Sequence, residues 1–132
     1  MKNLFYLQNK EKMMKKFYLL GSCSTCQRIL GSLNLGPDFE LIDIKNTTIT
    51  FKELAHLKTL SGSYEALFSK RAMLYKELGL KEKNLSEEDF KGYILEHYTF
   101  LKRPVLVFDK QIFIGNSAKV TEAALTAVRN EK

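Results

Sequence analysis

The apolar residues change period several times along the chain, and each change predicts an element. Phe17-Tyr18-Leu19-Leu20 is a continuous apolar run bounded by Gly21-Ser22, the pattern of a strand buried on both faces, so a first strand is predicted over Lys16–Leu20. From Ser24 to about Leu35 the period becomes helical, with Cys26, Ile29, Leu30 and Leu33 on one face, and Gly36-Pro37 is expected to end the helix. Phe39-Glu40-Leu41-Ile42-Asp43-Ile44 alternates as a second strand would. A helix between two strands acts as a crossover, so these strands are predicted to be parallel.

A section from about Thr50 to Tyr98 reads almost wholly helical. Thr50 and Glu53 stand in capping-box position, Ser61-Gly62-Ser63 breaks the pattern, and Ser86 with Asp89 opens another helix. Phe90, Tyr93, Ile94 and His97 share a face of that helix, so His97 reads as a packing or boundary residue. Tyr64, Tyr75, Tyr93 and Tyr98 read as packing aromatics. Pro104-Val105-Leu106-Val107-Phe108 then predicts a strand, Asp109-Lys110 a tight turn, and Gln111-Ile112-Phe113-Ile114 its hairpin partner, which Gly115 ends. A last helix from about Ser117 places Val120, Ala123, Ala124, Ala127 and Val128 on one face. The order β-α-β, helices, β-β-α is α/β and matches a thioredoxin-like fold with a helical insertion between the two sheet halves.

A chain of 132 residues suits one core better than two. The expected organisation is a single thioredoxin-like domain over 15–132 with the helical insertion at about 50–98. Residues 1–14 form an N-terminal extension: Met13-Met14-Lys15-Lys16 offers a second start, so the opening segment is either an appendage or an upstream start. No run approaches the ~18 apolar residues of a membrane span, and no signal peptide is evident, so no membrane association is expected. The net charge is +6, but 21 basic and 15 acidic residues are interspersed without an arginine-rich block or a basic-aromatic motif, so no direct nucleic-acid binding is expected.

The two cysteines of the chain lie in Gly21-Ser22-Cys23-Ser24-Thr25-Cys26, a C-x-x-C at a strand-to-helix junction. N–H groups in a first helical turn lack internal partners and the helix dipole is positive there, so a thiolate on Cys23 would be stabilised. Such a cysteine is a nucleophile at neutral pH. Two cysteines this close cannot staple a small secreted domain, which points to a reducing, cytoplasmic compartment. Zinc would need a second ligand pair, and only His56 and His97 are available, far apart in sequence, so no metal site is expected.

With these pieces placed, the chain resembles the arsenate reductase and Spx family of thioredoxin-fold proteins. The resemblance is carried by Cys23-Ser24-Thr25-Cys26-Gln27-Arg28, Ala66-Leu67-Phe68-Ser69-Lys70-Arg71, Tyr75-Lys76-Glu77-Leu78-Gly79-Leu80, Leu85-Ser86-Glu87-Glu88, Leu101-Lys102-Arg103-Pro104-Val105 and Ile112-Phe113-Ile114-Gly115. It implies that Cys23 is the nucleophile, that Arg103 faces it, and that Pro104 follows a cis bond beside it. Arg28, Lys70, Arg71 and Pro104 are the candidate substrate-binding residues; Lys70, Arg71, Lys102 and Arg103 either form a basic rim around the thiol or are surface charges, and Arg28 either reaches an anion or points to solvent. Members that reduce arsenate hold the oxyanion with two more arginines, and here those places have Ser69 and Gly115. The resemblance therefore implies a thiol–disulfide redox protein in which Cys26 resolves the adduct on Cys23. No bound cofactor is implied, and the external reductant is a thiol: glutathione, glutaredoxin or thioredoxin. Two alternatives stay open, an Spx-like regulator that binds RNA polymerase and a glutathione- and glutaredoxin-dependent arsenate reductase.

Overall fold

The computed structural model describes residues 14–131, so the predicted N-terminal extension lies almost wholly outside the described residues. Those residues form two compact units, one running from Ile44 to Lys102 and the other made of the chain on either side of it.

The first unit is built on a four-stranded sheet. Its strands are β1 (Lys15–Leu19), β2 (Glu40–Asp43), β3 (Val105–Phe108) and β4 (Gln111–Ile114), ordered β2-β1-β3-β4. Helix α1 (Ser24–Leu33) connects β1 to β2, which pair in parallel as a helical crossover requires, with Phe17 opposite Leu41 and Leu19 opposite Asp43. β3 pairs antiparallel with both β1 and β4. The turn between β3 and β4 is Asp109-Lys110, where Asp109 takes the left-handed conformation (φ 55°) that aspartate tolerates better than most residues. The final helix of the unit runs from Ala118 to Glu131 and closes the arrangement.

The apolar periods explain how these elements pack. Phe17 and Leu19 of β1 and Leu106 and Phe108 of β3 point to one face of the sheet, where they meet Cys26, Ile29 and Leu33 of α1 and Ala124 and Val128 of the final helix. β3 is buried along its whole length, as its unbroken apolar sequence dictates. Lys15 ties the ends of the unit together through ion pairs to Asp38, at 2.7 Å, and to Glu131.

Two details differ from the sequence reading. α1 stops at Leu33 because Asn34 adopts the left-handed conformation (φ 50°) of a helix C-cap, two residues before Gly36-Pro37. On the final helix Ala123 is exposed while Ala124 and Val128 are buried. The buried stripe is completed by Leu125, and Ala123 lies about 100° away from Ala124 around the helix.

The second unit is helical, with α2 (Phe51–Ser61), α3 (Met73–Glu77) and α4 (Glu87–Glu96) joined by short 3₁₀ turns. Both predicted capping boxes are present: Thr50 with Glu53, and Ser86 with Asp89. Gly62 closes α2 with φ 94°. The core of the unit is centred on Phe68, which stacks on Phe100 at 5.3 Å and meets Phe90 at 4.8 Å. A bridge between Phe68 and Leu101 holds this segment extended, with Ser69 N–H donating to the Phe100 carbonyl at 2.7 Å and Lys102 N–H to that of Leu67 at 2.8 Å. Lys70 and Arg71 consequently lie in a turn between 3₁₀ helix and α3, not in the continuous helix that their sequence suggested. His97 also departs from expectation. It is extended (φ −149°), caps α4, and its Nδ1 accepts from Thr99 N–H at 3.1 Å, so it is exposed instead of sharing the helical face of Phe90 and Ile94.

Candidate functional site

The C-x-x-C is set by the junction between β1 and α1. After Leu19 the chain reverses through Leu20-Gly21-Ser22-Cys23, closed by a hydrogen bond from Cys23 N–H to the Leu20 carbonyl at 2.9 Å. Cys23 is then the N-cap of α1, with extended backbone (φ −88°, ψ 113°), and its carbonyl accepts from Gln27 N–H at 3.1 Å. Its sulfur occupies the place that a serine or aspartate oxygen takes in an ordinary N-cap, accepting from Cys26 N–H at 3.4 Å.

The two thiols sit in different surroundings. Cys23 is half-buried, whereas Cys26 is fully buried among Ile29, Leu33 and the sheet residues. Burial acts to raise the Cys23 thiol, but the N–H groups of Cys26 and Thr25, the Cys26 side chain and the charge of Arg103 together outweigh it. Cys23 therefore stands below its ordinary value. Cys26 is pushed up to about 11, chiefly by burial. The Leu20 backbone opposes this rise, the neighbouring Cys23 sulfur adds to it, and Arg103 again favours the thiolate. The two neighbouring thiols are thus shifted in opposite directions.

Arg103 and Pro104 lead into β3, and the bond between them is cis, the conformation that the family resemblance implies. Pro104 is buried and Arg103 partly so. Arg103 is thus brought into electrostatic range of both cysteines. The Pro104 carbonyl accepts from Gly115 N–H at 2.9 Å, which fixes the chain just past β4. Gly115 has φ 91°, a conformation that an arginine there would occupy only with strain.

The other predicted cations are placed differently. Arg28 is exposed on α1, two residues beyond Cys26. Lys70 and Arg71 belong to the helical unit, where both are exposed and Lys70 pairs with Glu65 at 2.9 Å. Among the described residues no group of three or more His, Cys, Asp or Glu side chains gathers as a metal site would require. None of their helices is long and apolar enough to cross a membrane.

Two residues around the thiols were not singled out in the sequence for a site role. Gln27 donates from Nε2 to the Gly21 carbonyl at 3.1 Å. Asp43, at the end of β2, packs so closely on Gly21 that a Cβ there would lie 2.5 Å from Oδ2. The signal for Gln27 was its place four residues after Cys23, one helical turn on. For Asp43 there was none short of knowing the β1–β2 register.

Over 105 residues the chain is 28% identical to global transcriptional regulator Spx 2 of Bacillus anthracis, covering 77% of this chain and 79% of that protein. It is 34% identical over 88 residues to an arsenate reductase of Yersinia enterocolitica, spanning 65% of this chain and 62% of the relative. The structure superposes on arsenate reductase from Vibrio cholerae with a TM-score of 0.70 at 26% identity, over 86% of this chain and 97% of the other. The ArsC family profile matches residues 18–124. A thioredoxin-like sheet, an N-capping cysteine and a profile match across most of its length make this chain a member of the ArsC family.

Proposed function

We propose that this chain is a cytoplasmic thiol–disulfide redox protein in which Cys23 is the nucleophile and Cys26 the resolving thiol. The observation that carries the reading is the split between the two cysteines. One caps a helix and is held below the ordinary thiol value, while the other is buried and pushed up to about 11.

The step follows from that split. The Cys23 thiolate attacks one sulfur of an oxidised substrate disulfide, forming a mixed disulfide and releasing the other sulfur as a thiolate. Bonding Cys23 removes its thiolate charge and its hydrogen bond with the Cys26 side chain, two of the contributions that hold the Cys26 thiol up. Cys26 then loses its proton and attacks the Cys23 sulfur, which expels the second substrate thiolate. The substrate disulfide has gained two electrons and the protein dithiol has become a disulfide. An external thiol of the glutathione, glutaredoxin or thioredoxin class returns it to the dithiol. Arg103 favours the anionic sulfur throughout.

Thiol trapping across candidate oxidants, including arsenate, tests the reading. Cys26→Ser should accumulate a mixed adduct on Cys23, and Cys23→Ser should form none. An adduct that persists in Cys23→Ser would refute the assignment.

The Spx 2 relative supports a second reading, in which the same pair acts as an oxidation switch on a regulator that binds RNA polymerase. Recovery of polymerase on the immobilised protein in one redox state only, with no substrate turnover, would favour it. Glutathione- and glutaredoxin-dependent arsenate reduction is the reading least supported, because Ser69 and Gly115 stand where oxyanion-binding arginines are expected.

A further inference from the structure

The turn before the nucleophile is held from several sides. Its central peptide carries the Gly21 carbonyl, the group that reverses direction when a turn of this kind flips between its two common forms. Ser22 is not among the residues with positive φ, so the central peptide has one orientation here. That orientation presents the Gly21 carbonyl to Gln27, whose Nε2 donates to it at 3.1 Å. The backbone of Gln27 meanwhile donates to the Cys23 carbonyl at 3.1 Å. One residue therefore grips the turn at both ends of the Gly21–Cys23 segment. Gly21, lacking a side chain, is the place where such a segment would otherwise swing most freely.

We propose that Gln27 is a positioning residue for the Cys23 thiolate: by clasping the Gly21 carbonyl it fixes the turn so that the Cys23 sulfur faces the Cys26 N–H. The inference rests on Cys23 being the nucleophile. It adds that the reactivity of Cys23 is set in part by an exposed side chain that acts through the Gly21 carbonyl. The titratable and charged side chains acting directly on Cys23 are Cys26 and Arg103, and neither is altered by a change at Gln27.

The test is the pH dependence of iodoacetamide labelling at Cys23, followed by peptide mass mapping of the full-length reduced protein. It compares wild type, Gln27→Met and Gln27→Lys at about 0.5 M salt, which screens the charge that lysine adds. Methionine keeps the length of the side chain but has no donor, and lysine keeps a donor of similar reach. Gln27→Met is expected to move the Cys23 midpoint up by about 0.5, which is about threefold less thiolate below both midpoints. Gln27→Lys should stay within about 0.2 of wild type. Thermal unfolding of each variant accompanies the titration, and Gln27 is exposed, so the fold should persist. A Gln27→Met profile that overlays wild type would overturn the proposal, as would equal upward shifts in both variants. If the wild-type Cys23 midpoint itself is not depressed, the nucleophile assignment fails instead, and the two failures are thereby told apart.

Discussion

Replacing Gly21 with alanine should test the scaffold beneath the site, because the structure names the one side chain that opposes it. A Cβ at Gly21 would lie 2.5 Å from Asp43 Oδ2, while Asp43 Cγ at 3.5 Å is at ordinary contact distance. The carboxylate oxygen must therefore retreat by about 0.9 Å; it ends a half-buried, rotatable side chain, so the cost sits at the low end of overpacking, about 1 kcal/mol. Gly21 is not in the left-handed region, so alanine also restricts the unfolded chain and recovers about 0.4–1 kcal/mol. The expected net is a destabilisation of at most about 0.6 kcal/mol, or a fall in thermal midpoint of no more than about 3 °C for a chain of this size. In an Asp43→Ala background the obstacle is gone and only the unfolded-state term remains. There Gly21→Ala should be neutral or raise the midpoint by a few degrees. A double-mutant cycle followed by thermal denaturation reads the coupling directly, expected at about 1 kcal/mol. Equal effects of Gly21→Ala in both backgrounds would show that Asp43 does not brace the turn that delivers Cys23.

Mild oxidation should give an intramolecular Cys23–Cys26 disulfide, seen by mass spectrometry as the loss of two hydrogens within the monomer; predominant disulfide-linked dimers would count against Cys26 as the resolving thiol. The buried Cys26 also makes stability depend on alkaline pH. Its native value is raised to about 11, so an unfolded chain releases this proton first as pH climbs and the native state loses stability between the ordinary thiol range and about 11. The fall in thermal midpoint of the reduced protein over that window should be shallower in Cys26→Ser, and parallel curves would contradict the burial argument. Arsenate turnover with glutathione and glutaredoxin should be slow at best, since each missing preorganised donor costs about 3 kcal/mol of transition-state stabilisation. Gly115→Arg should lower the thermal midpoint, because φ there is 91° and a non-glycine residue pays about 1–2 kcal/mol in the left-handed region; an unchanged midpoint would mean that this turn relaxes freely.

Much of the fold is written in local periodicity. Phe17 to Leu19 and Val105 to Phe108 carry no charged interruption and form strands of the sheet interior, and the short Asp109-Lys110 link admits only a hairpin. The capping boxes at Thr50 and Ser86 mark helix starts because serine or threonine and an acidic residue three positions on satisfy each other's backbone groups. The cysteine site was equally legible, since a C-x-x-C directly after a buried strand has to fall at a helix entrance. What escaped depends on contacts across the sequence. Phe68 and Leu101 pair across more than thirty residues, which straightens the segment that leads to Lys70 and Arg71 and overrides its helical pattern. His97 left its helix because its ring found the Thr99 N–H, a local competitor that periodicity does not weigh. The closeness of Asp43 to Gly21 needed the pairing of Leu19 with Asp43.

The central claim is that one backbone arrangement makes two neighbouring thiols unequal, and pulsed alkylation at graded pH measures that inequality at each cysteine. Reduced protein is labelled briefly from pH 5 to 11, quenched, and the Cys23 and Cys26 peptides are quantified separately. Cys23, capping α1 and attracted by Arg103, should label first and with a midpoint below the ordinary thiol range, while Cys26 should stay protected until the pH approaches about 11. Equal labelling, or faster labelling at Cys26, would contradict the assignment of nucleophile and resolving thiol.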